Sequence, residues 1–376
     1  MKLKNKVRQK LNRIWWYSTL LFRGDDLLTY KSCDYLIIGH DHDKSLRFNS
    51  KKCSPILDFL EGNMLLGRVE YLGKPGSKLK LDTFNSYKRV NIQYLLFKLL
   101  FILKGTGFAD RAFWRFILKK TKPKCVLGIQ IPPLLCMEAT LMDIETINVQ
   151  HGMIQSDIDY YKSINSDIEL PSIFYCWDNI SIKIARKKFK KQAFKEIGHP
   201  WHNQFLKSNY ASTLYSRDLN YIKEVTNEKI AACISLQYDS EFNSNLIPKQ
   251  VIDKLNHLKS HNYIFLVRFH PIAILSKGLK KLRNDFYENN KIKIDDCNIV
   301  DASCFPLPLL LPFMDVHLTK NSAVFLESQL YGIKTYYWDN DPDRLNEIKD
   351  YESLGALLFP ISDLRLSKIS DLRLSK

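Results

Sequence analysis

Short apolar runs alternate with helical stretches along almost the whole chain, and that alternation confines the fold to parallel sheets covered on both faces. Predicted strands fall at Asp34–Gly39, Arg68–Leu72, Cys125–Ile129, Thr146–Gln150, Ile173–Cys176 and Ala193–Ile197, then at Ile230–Leu236, Tyr263–Phe269, Asn298–Asp301, Val316–Thr319 and Thr335–Trp338. Between them, helical spacing marks Ser54–Gly62, Val90–Leu103, Asp110–Lys120, Pro132–Met142, Ile180–Phe189, Pro248–Lys259, Lys277–Glu288 and Ser322–Tyr331. A polar stretch from Lys207 to Asn227 separates the two series. At 376 residues the chain exceeds what one core serves, so the expectation is two doubly wound, Rossmann-like α/β domains facing a central crevice. Their expected extents are 1–205 and 225–345, with 346–376 as a C-terminal tail. That tail repeats Ile361–Lys368 as Ile369–Lys376, a duplication too short for a solenoid.

Composition narrows the classes further. Hydrophobic residues at 45% and charged residues at 26% suit a folded globular chain rather than a disordered one. Eight cysteines form no CxxC pair and several lie inside apolar runs, which fits buried thiols in a reducing compartment and no cysteine-bound metal. The net charge of +16 is uneven. Residues 1–23 hold Lys2, Lys4, Lys6, Arg8, Lys10, Arg13 and Arg23 with no acid, interleaved with apolar residues including Trp15 and Trp16. No apolar run there is long enough to span a bilayer, so the expectations are a cytoplasmic protein whose first helix either lies on the inner-membrane surface or docks on its own domain. A second basic run, Lys183 to Lys195, is expected on one helix face; no RNA- or DNA-binding motif accompanies it, and nucleic acid is not expected as a partner.

The chemistry-bearing residues gather at predicted strand ends. Ile264 to Val267 is an apolar strand that ends in Arg268, Phe269, His270 and Pro271; Arg268 and His270 alternate, so both can turn toward one phosphate, the alternative being a structural arginine and a capping histidine. Val316–Thr319 runs into Lys320, Asn321 and Ser322, where a helix begins. Ser322 at that start offers a hydroxyl and free amides to a phosphate, and Glu327 offers a carboxylate to ribose hydroxyls; a plain N-cap and a surface glutamate are the alternatives. In the first half, Gln150, His151 and Gly152 close a strand on a turn that exposes the imidazole. Asp239 follows the first strand of the second half, a place for a nucleophilic or stabilising carboxylate or for a helix cap, and Glu138 is a second acid/base candidate. His40-Asp41-His42-Asp43 resembles a metal cluster but lacks a second acidic group, and Asp339 to Asp343 reads as a solvated turn. No P-loop, nucleophile-elbow or GxGxxG motif occurs.

Together, Gln150-His151-Gly152, Arg268-Phe269-His270-Pro271 and Ser322 to Glu327 resemble the pattern of GT-B glycosyltransferases that build bacterial capsule and O-antigen polysaccharide, in particular those using CMP-activated acidic sugars such as Kdo or sialic acid. The resemblance covers about residues 125–340. It implies nucleotide contacts from Arg268, His270, Lys320, Ser322 and Glu327, a catalytic role for Asp239 with His151 and Glu138 as further candidates, no metal, no cofactor beyond the nucleotide-sugar donor, and a lipid-linked glycan acceptor. The Asp-Asp-Gly-like base of inverting sialyltransferases is missing, since Tyr238-Asp239-Ser240 stands in its place, and stereochemistry stays open. A CDP-glycerol-type polyol-phosphate transferase with His151 as base, and a noncatalytic scaffold for polysaccharide assembly, are the two rival readings.

Overall fold

The computed structural model describes residues 30–364 apart from 41–45, 49–50, 61–64, 76–86, 155–163, 165, 237–246, 248, 260–261, 271–272, 275–277, 291–297 and 340. Asp239, the basic stretch 1–23 and the eight-residue repeat beyond 364 lie outside the described residues. The chain forms two compact units. One gathers the described residues of Met1–His151, Ser156–Asp178 and Arg186–Pro200, the other those of Gly152–Gln155, Asn179–Ala185 and Trp201–Lys376.

Unit one is built on a six-stranded sheet. Its strands are β1 (Tyr35–Gly39), β4 (Val69–Gly73), β5 (Cys125–Gly128), β6 (Glu145–Val149), β7 (Ile173–Cys176) and β8 (Ala193–Glu196), in the order β4-β1-β5-β6-β7-β8 with every neighbour parallel. A small antiparallel hairpin, β2 (Leu46–Phe48) and β3 (Lys51–Cys53), precedes β4. Leu36, Ile38, Val126, Phe113, Ile117 and Leu118 are fully buried in one core, the burial expected of a sheet with helices on its faces. Gly128 ends β5 where a Cβ would stand 3.1 Å from the Ile38 carbonyl oxygen, so close strand approach demands glycine there.

Unit two repeats the plan with β9 (Ile230–Ser235), β10 (Tyr263–Arg268), β11 (Ile299–Asp301), β12 (Val316–Thr319), β13 (Lys334–Tyr337) and β14 (Leu358–Pro360). Their order, β11-β10-β9-β12-β13-β14, is the doubly wound 3-2-1-4-5-6 arrangement, again all parallel. The order reverses between β9 and β12. Ile234, Phe265, Val267 and Leu318 fill its core.

Several expectations need correction. Residues 346–364 are no tail: the helix Pro342–Ser353 returns the chain to the sheet edge, where β14 pairs with β13. The stretch 207–227 holds the helix Ser216–Thr226, which buries only Ile222 and Thr226 and so looks polar in sequence. Ser54–Gly62 is reduced to a single 3-10 turn, Leu57–Phe59, with the Ser54 hydroxyl accepting from the Leu57 amide at 3.0 Å. The basic run from Lys183 does not stay on one helix face, because the helix Asn179–Lys188 ends inside it. Lys191 pairs with Asp167, and Lys195 sits 5.4 Å from the Tyr175 ring centroid.

Candidate functional site

The strands of unit two set the site by their register. Ser235, the last residue of β9, is aligned with Arg268 on one side and with Thr319 on the other, so three strand ends finish in one row. This row borders the reversal between β9 and β12, and ligands of open α/β sheets bind beyond the carboxyl ends at that point.

Below the row, hydrogen bonds tie the strands side chain to side chain. His317 is fully buried on β12, with Nε2 2.9 Å from the Ser235 hydroxyl and Nδ1 3.0 Å from the Thr335 hydroxyl on β13. Burial, reinforced by the Arg268 charge and opposed by Glu327, lowers its pKa from 6.5 to about 3, so the ring is neutral at physiological pH. Thr319 donates its hydroxyl to the Ser235 carbonyl at 2.9 Å and accepts from the Ser322 amide at 3.0 Å. The loop leaving β12 is thereby pinned at its root.

Ser322 is buried and its hydroxyl accepts from the Val324 amide at 3.3 Å, in the turn just ahead of the helix Val324–Gln329, whose N-cap position is Ala323. Asn321 donates to Asp339 at 2.6 Å, and Asp339 is buried. The solvated turn expected at Asp339 is therefore corrected: its carboxylate braces the loop, also accepting from the Asp341 amide at 3.1 Å. Lys320 stands half-buried between Thr319 and Asn321. Gly152 belongs to this unit too; a Cβ on it would meet that of Ala323 at 3.3 Å, so the glycine of the Gln150-His151-Gly152 motif serves close approach to the start of that helix.

Arg268 is held, not loose. Its Nη1 donates to the Ala302 carbonyl at 2.7 Å and to that of Phe305 at 2.5 Å, which makes it a clamp on the loop after β11. Among the described residues the hydrogen bonds of its guanidinium are these two, both from Nη1. Burial pulls its pKa below the ordinary arginine value, opposed by the charges of Cys233, Glu327 and Asp301. His270 is half-buried two residues on, its carbonyl accepting from the Ile274 amide at 3.1 Å.

Glu327 is the anchor of a group that sequence reasoning missed. Its Oε2 lies 2.6 Å from Nε2 of His202, and Nδ1 of the same ring lies 2.9 Å from the Tyr331 hydroxyl. His202 is almost fully buried, on the helix Pro200–Lys207. Burial and the Glu327 charge raise the Tyr331 pKa, which keeps that hydroxyl a donor. In the neutral ring one tautomer then satisfies all three groups: Tyr331 donates to Nδ1, and Nε2 donates to the carboxylate. The available signal was His199-Pro200-Trp201-His202 directly after β8, a second His-Pro at a strand end beside His270-Pro271.

In unit one, His151 is exposed at the end of β6, and its ring centroid is 5.7 Å from that of His40 at the end of β1. Gln150 is buried and accepts from the Trp177 amide at 2.7 Å, joining the ends of β6 and β7. Glu138 is elsewhere and otherwise engaged. Its fully buried carboxylate receives Nε of Arg111 and Nε of Arg115, each at 2.6 Å, so it fastens the helix Thr106–Thr121 to the helix Pro133–Thr140. With both oxygens bound to guanidinium groups, the acid/base role expected of Glu138 gives way to a packing role.

No known family's sequence profile matches the chain, and no curated protein sequence does. Solved structures do match in fold. The UDP-GlcNAc 2-epimerase of Methanocaldococcus jannaschii superposes with a TM-score of 0.54 at 14% identity, over 90% of this chain and 91% of that one. The UDP-GlcNAc 2-epimerase of Neisseria meningitidis, bound to UDP-GlcNAc, gives 0.52 at 12% identity over 90% and 93%. The wall teichoic acid polymerase TagF gives 0.47 at 16% identity over 92% and 80%. With two parallel six-stranded sheets flanked by helices, the chain has the GT-B type of architecture, two Rossmann-like units in tandem.

Proposed function

We propose that this chain is an enzyme that transfers a sugar from a nucleotide-activated donor to a lipid-linked surface glycan, working at the cytoplasmic face of the inner membrane. The observation that carries the reading is the aligned row of Arg268, Ser235 and Thr319 at the strand-order reversal of the second sheet, with Ser322 just before the next helix and Glu327 on it. Arg268 and the helix start at Ser322 supply donors for the phosphoryl oxygens, with Lys320 and His270 beside them. Glu327, held by His202 through Oε2, is the carboxylate that accepts from the ribose. Charge gathering on the departing nucleotide is met by these fixed donors, so the reading requires neither divalent ion nor further cofactor. A CMP-linked acidic sugar such as Kdo is the donor that the sequence resemblance favours, with Asp239, which follows β9 in sequence, as the carboxylate matched to the family's nucleophile.

A polyol-phosphate transferase is the second reading, favoured by the exposed imidazole of His151, a group able to act as base toward an acceptor hydroxyl. One experiment separates the two. The protein is screened by thermal shift with CMP, CDP, UDP and GDP, then incubated with the activated donors of the stabilising nucleotide, and the product is analysed for glycoside or phosphodiester. Stabilisation by none of the four, or transfer abolished by EDTA, overturns the proposal.

A further inference from the structure

The helix Asn91–Leu100 and the helix Thr106–Thr121 pack as a hairpin whose inner side is well made and whose outer side is not covered. Inside, Tyr94 and Phe97 meet the Phe113 ring edge-on at centroid distances of 5.2 and 5.8 Å. Lys98, mostly buried, pairs with Asp110 at 2.5 Å and donates to the Thr106 carbonyl at 3.0 Å. Outside, Leu96, Leu99, Leu100 and Leu103 recur at helical spacing and are 51%, 57%, 74% and 98% exposed. Phe108 across the turn is 45% exposed. Four leucines and a phenylalanine at one end of a hairpin form an apolar patch of the kind that marks a docking surface.

Charge identifies what docks. From Lys88 to Lys124 the chain carries ten basic residues and one acid; Lys98 pairs with Asp110, Lys88 with Glu70, Lys124 with Asp34, and Arg111 and Arg115 with Glu138, which still leaves the segment in net positive charge. Lys104 lies within the leucine cluster itself, its ammonium 5.0 Å from the Phe108 ring centroid. Gly105 and Gly107 at the turn have open space within 4 Å of where a Cβ would be, among the described residues. An apolar tip with Lys104 among its leucines, on a segment of net positive charge, matches a bilayer of anionic lipid: leucines enter the acyl boundary, and Lys104 reaches back to the headgroups.

We propose that this hairpin tip, centred on Leu100, Leu103 and Phe108, is the membrane-docking element, and that its partner is an anionic lipid surface. The inference deepens the membrane-peripheral part of the proposed function and leans on no part of the transfer chemistry. Flotation of the full chain, without donor or acceptor, is measured with vesicles of phosphatidylcholine alone and of phosphatidylcholine with phosphatidylglycerol. The expected result is salt-sensitive binding to the anionic vesicles, weakened about tenfold or more in the Leu100→Gln/Leu103→Gln variant. Because both leucines are exposed, the variant keeps the parental melting temperature, and Leu214→Gln, an exposed leucine on the other unit, binds as the parent does. Parental binding by the double variant, equal binding to neutral vesicles, or a parent dimer that the double substitution dissociates would each overturn the proposal, the last by giving the face to a second copy. Nucleotide stabilisation is scored separately, so loss of one reading leaves the other standing.

Discussion

His202 and Glu327, 125 residues apart in sequence, meet at 2.6 Å with the imidazole almost fully buried and the carboxylate side chain 12% exposed. The pair fixes the Glu327 carboxylate on the helix after β12, and Tyr331 holds the ring from the other side. His202→Ala leaves a nearly buried carboxylate and a buried hydroxyl without this partner, at a cost of about 1–3 kcal/mol. Urea unfolding of His202→Ala, Tyr331→Phe and the double variant should show coupling between the two sites. Strictly additive losses would mean that the three groups do not act as one chain.

The clamp made by Arg268 can be tested apart from any ligand. Its Nη1 bridges the carbonyls of Ala302 and Phe305, which bracket Cys304, the exposed thiol among the described cysteines. Lysine cannot present the same planar fork, so Arg268→Lys should free the loop and lose about 1.5–3 kcal/mol of local stability. The rate of Cys304 alkylation in the native protein should rise about tenfold, while the fully buried Cys233 and Cys136 stay protected. If the donor phosphate also binds here, saturating nucleotide slows the labelling of the wild type and not of the variant. An unchanged labelling rate would remove the clamp from the argument.

How much of this was legible in the sequence depends on whether a residue's role is local. The central strands were readable because a parallel strand buried on both faces is an unbroken apolar run, as in Leu36-Ile37-Ile38 and Ala231 to Ile234. The strand Leu358–Pro360 was not, being three residues long, at the sheet edge and ended by proline. Arg268, Ser322 and Glu327 could be picked because strand ends and helix starts announce themselves. Glu138 stands in the second half of the helix Pro133–Thr140, and its meaning lies in Arg111 and Arg115 on another helix, a pairing that no local pattern shows. His202 is the converse case: the His199-Pro200 pair ahead of it marks the place in sequence, and only the tertiary partner Glu327 gives the residue its role.

Glu138 offers a direct test of the packing assignment. Its carboxylate is fully buried, while the two arginine side chains are 40% and 47% exposed, so solvent softens the exposure of two unpaired cations when the acid is removed. Glu138→Ala should still cost about 2–3 kcal/mol, because the anion that joins two helices is lost from a desolvated place. Turnover per folded molecule should stay at the wild-type level. A variant that folds normally and is inactive would return Glu138 to the chemistry.

The buried His317 makes a pH prediction with a definite sign. Its pKa falls from 6.5 in the unfolded chain to about 3 in the fold, so between those values the unfolded state binds the extra proton. The stabilising contribution is complete above about pH 6.5 and is lost progressively as pH drops toward 3, with a limiting slope of about 1.4 kcal/mol per pH unit from this one site. Carboxylates titrate over part of the same range, so the useful quantity is the difference between wild type and His317→Gln, whose amide reaches the Ser235 and Thr335 hydroxyls without an ionisable group. At pH 7.5 the variant is less stable, from imperfect geometry in a buried network. As pH falls from 6.5 to 4 the gap should narrow steadily and then reverse, because only the wild type must expel a proton to fold. Parallel pH profiles for the two proteins would show that the imidazole is not neutral in the fold and would sink the account of this network.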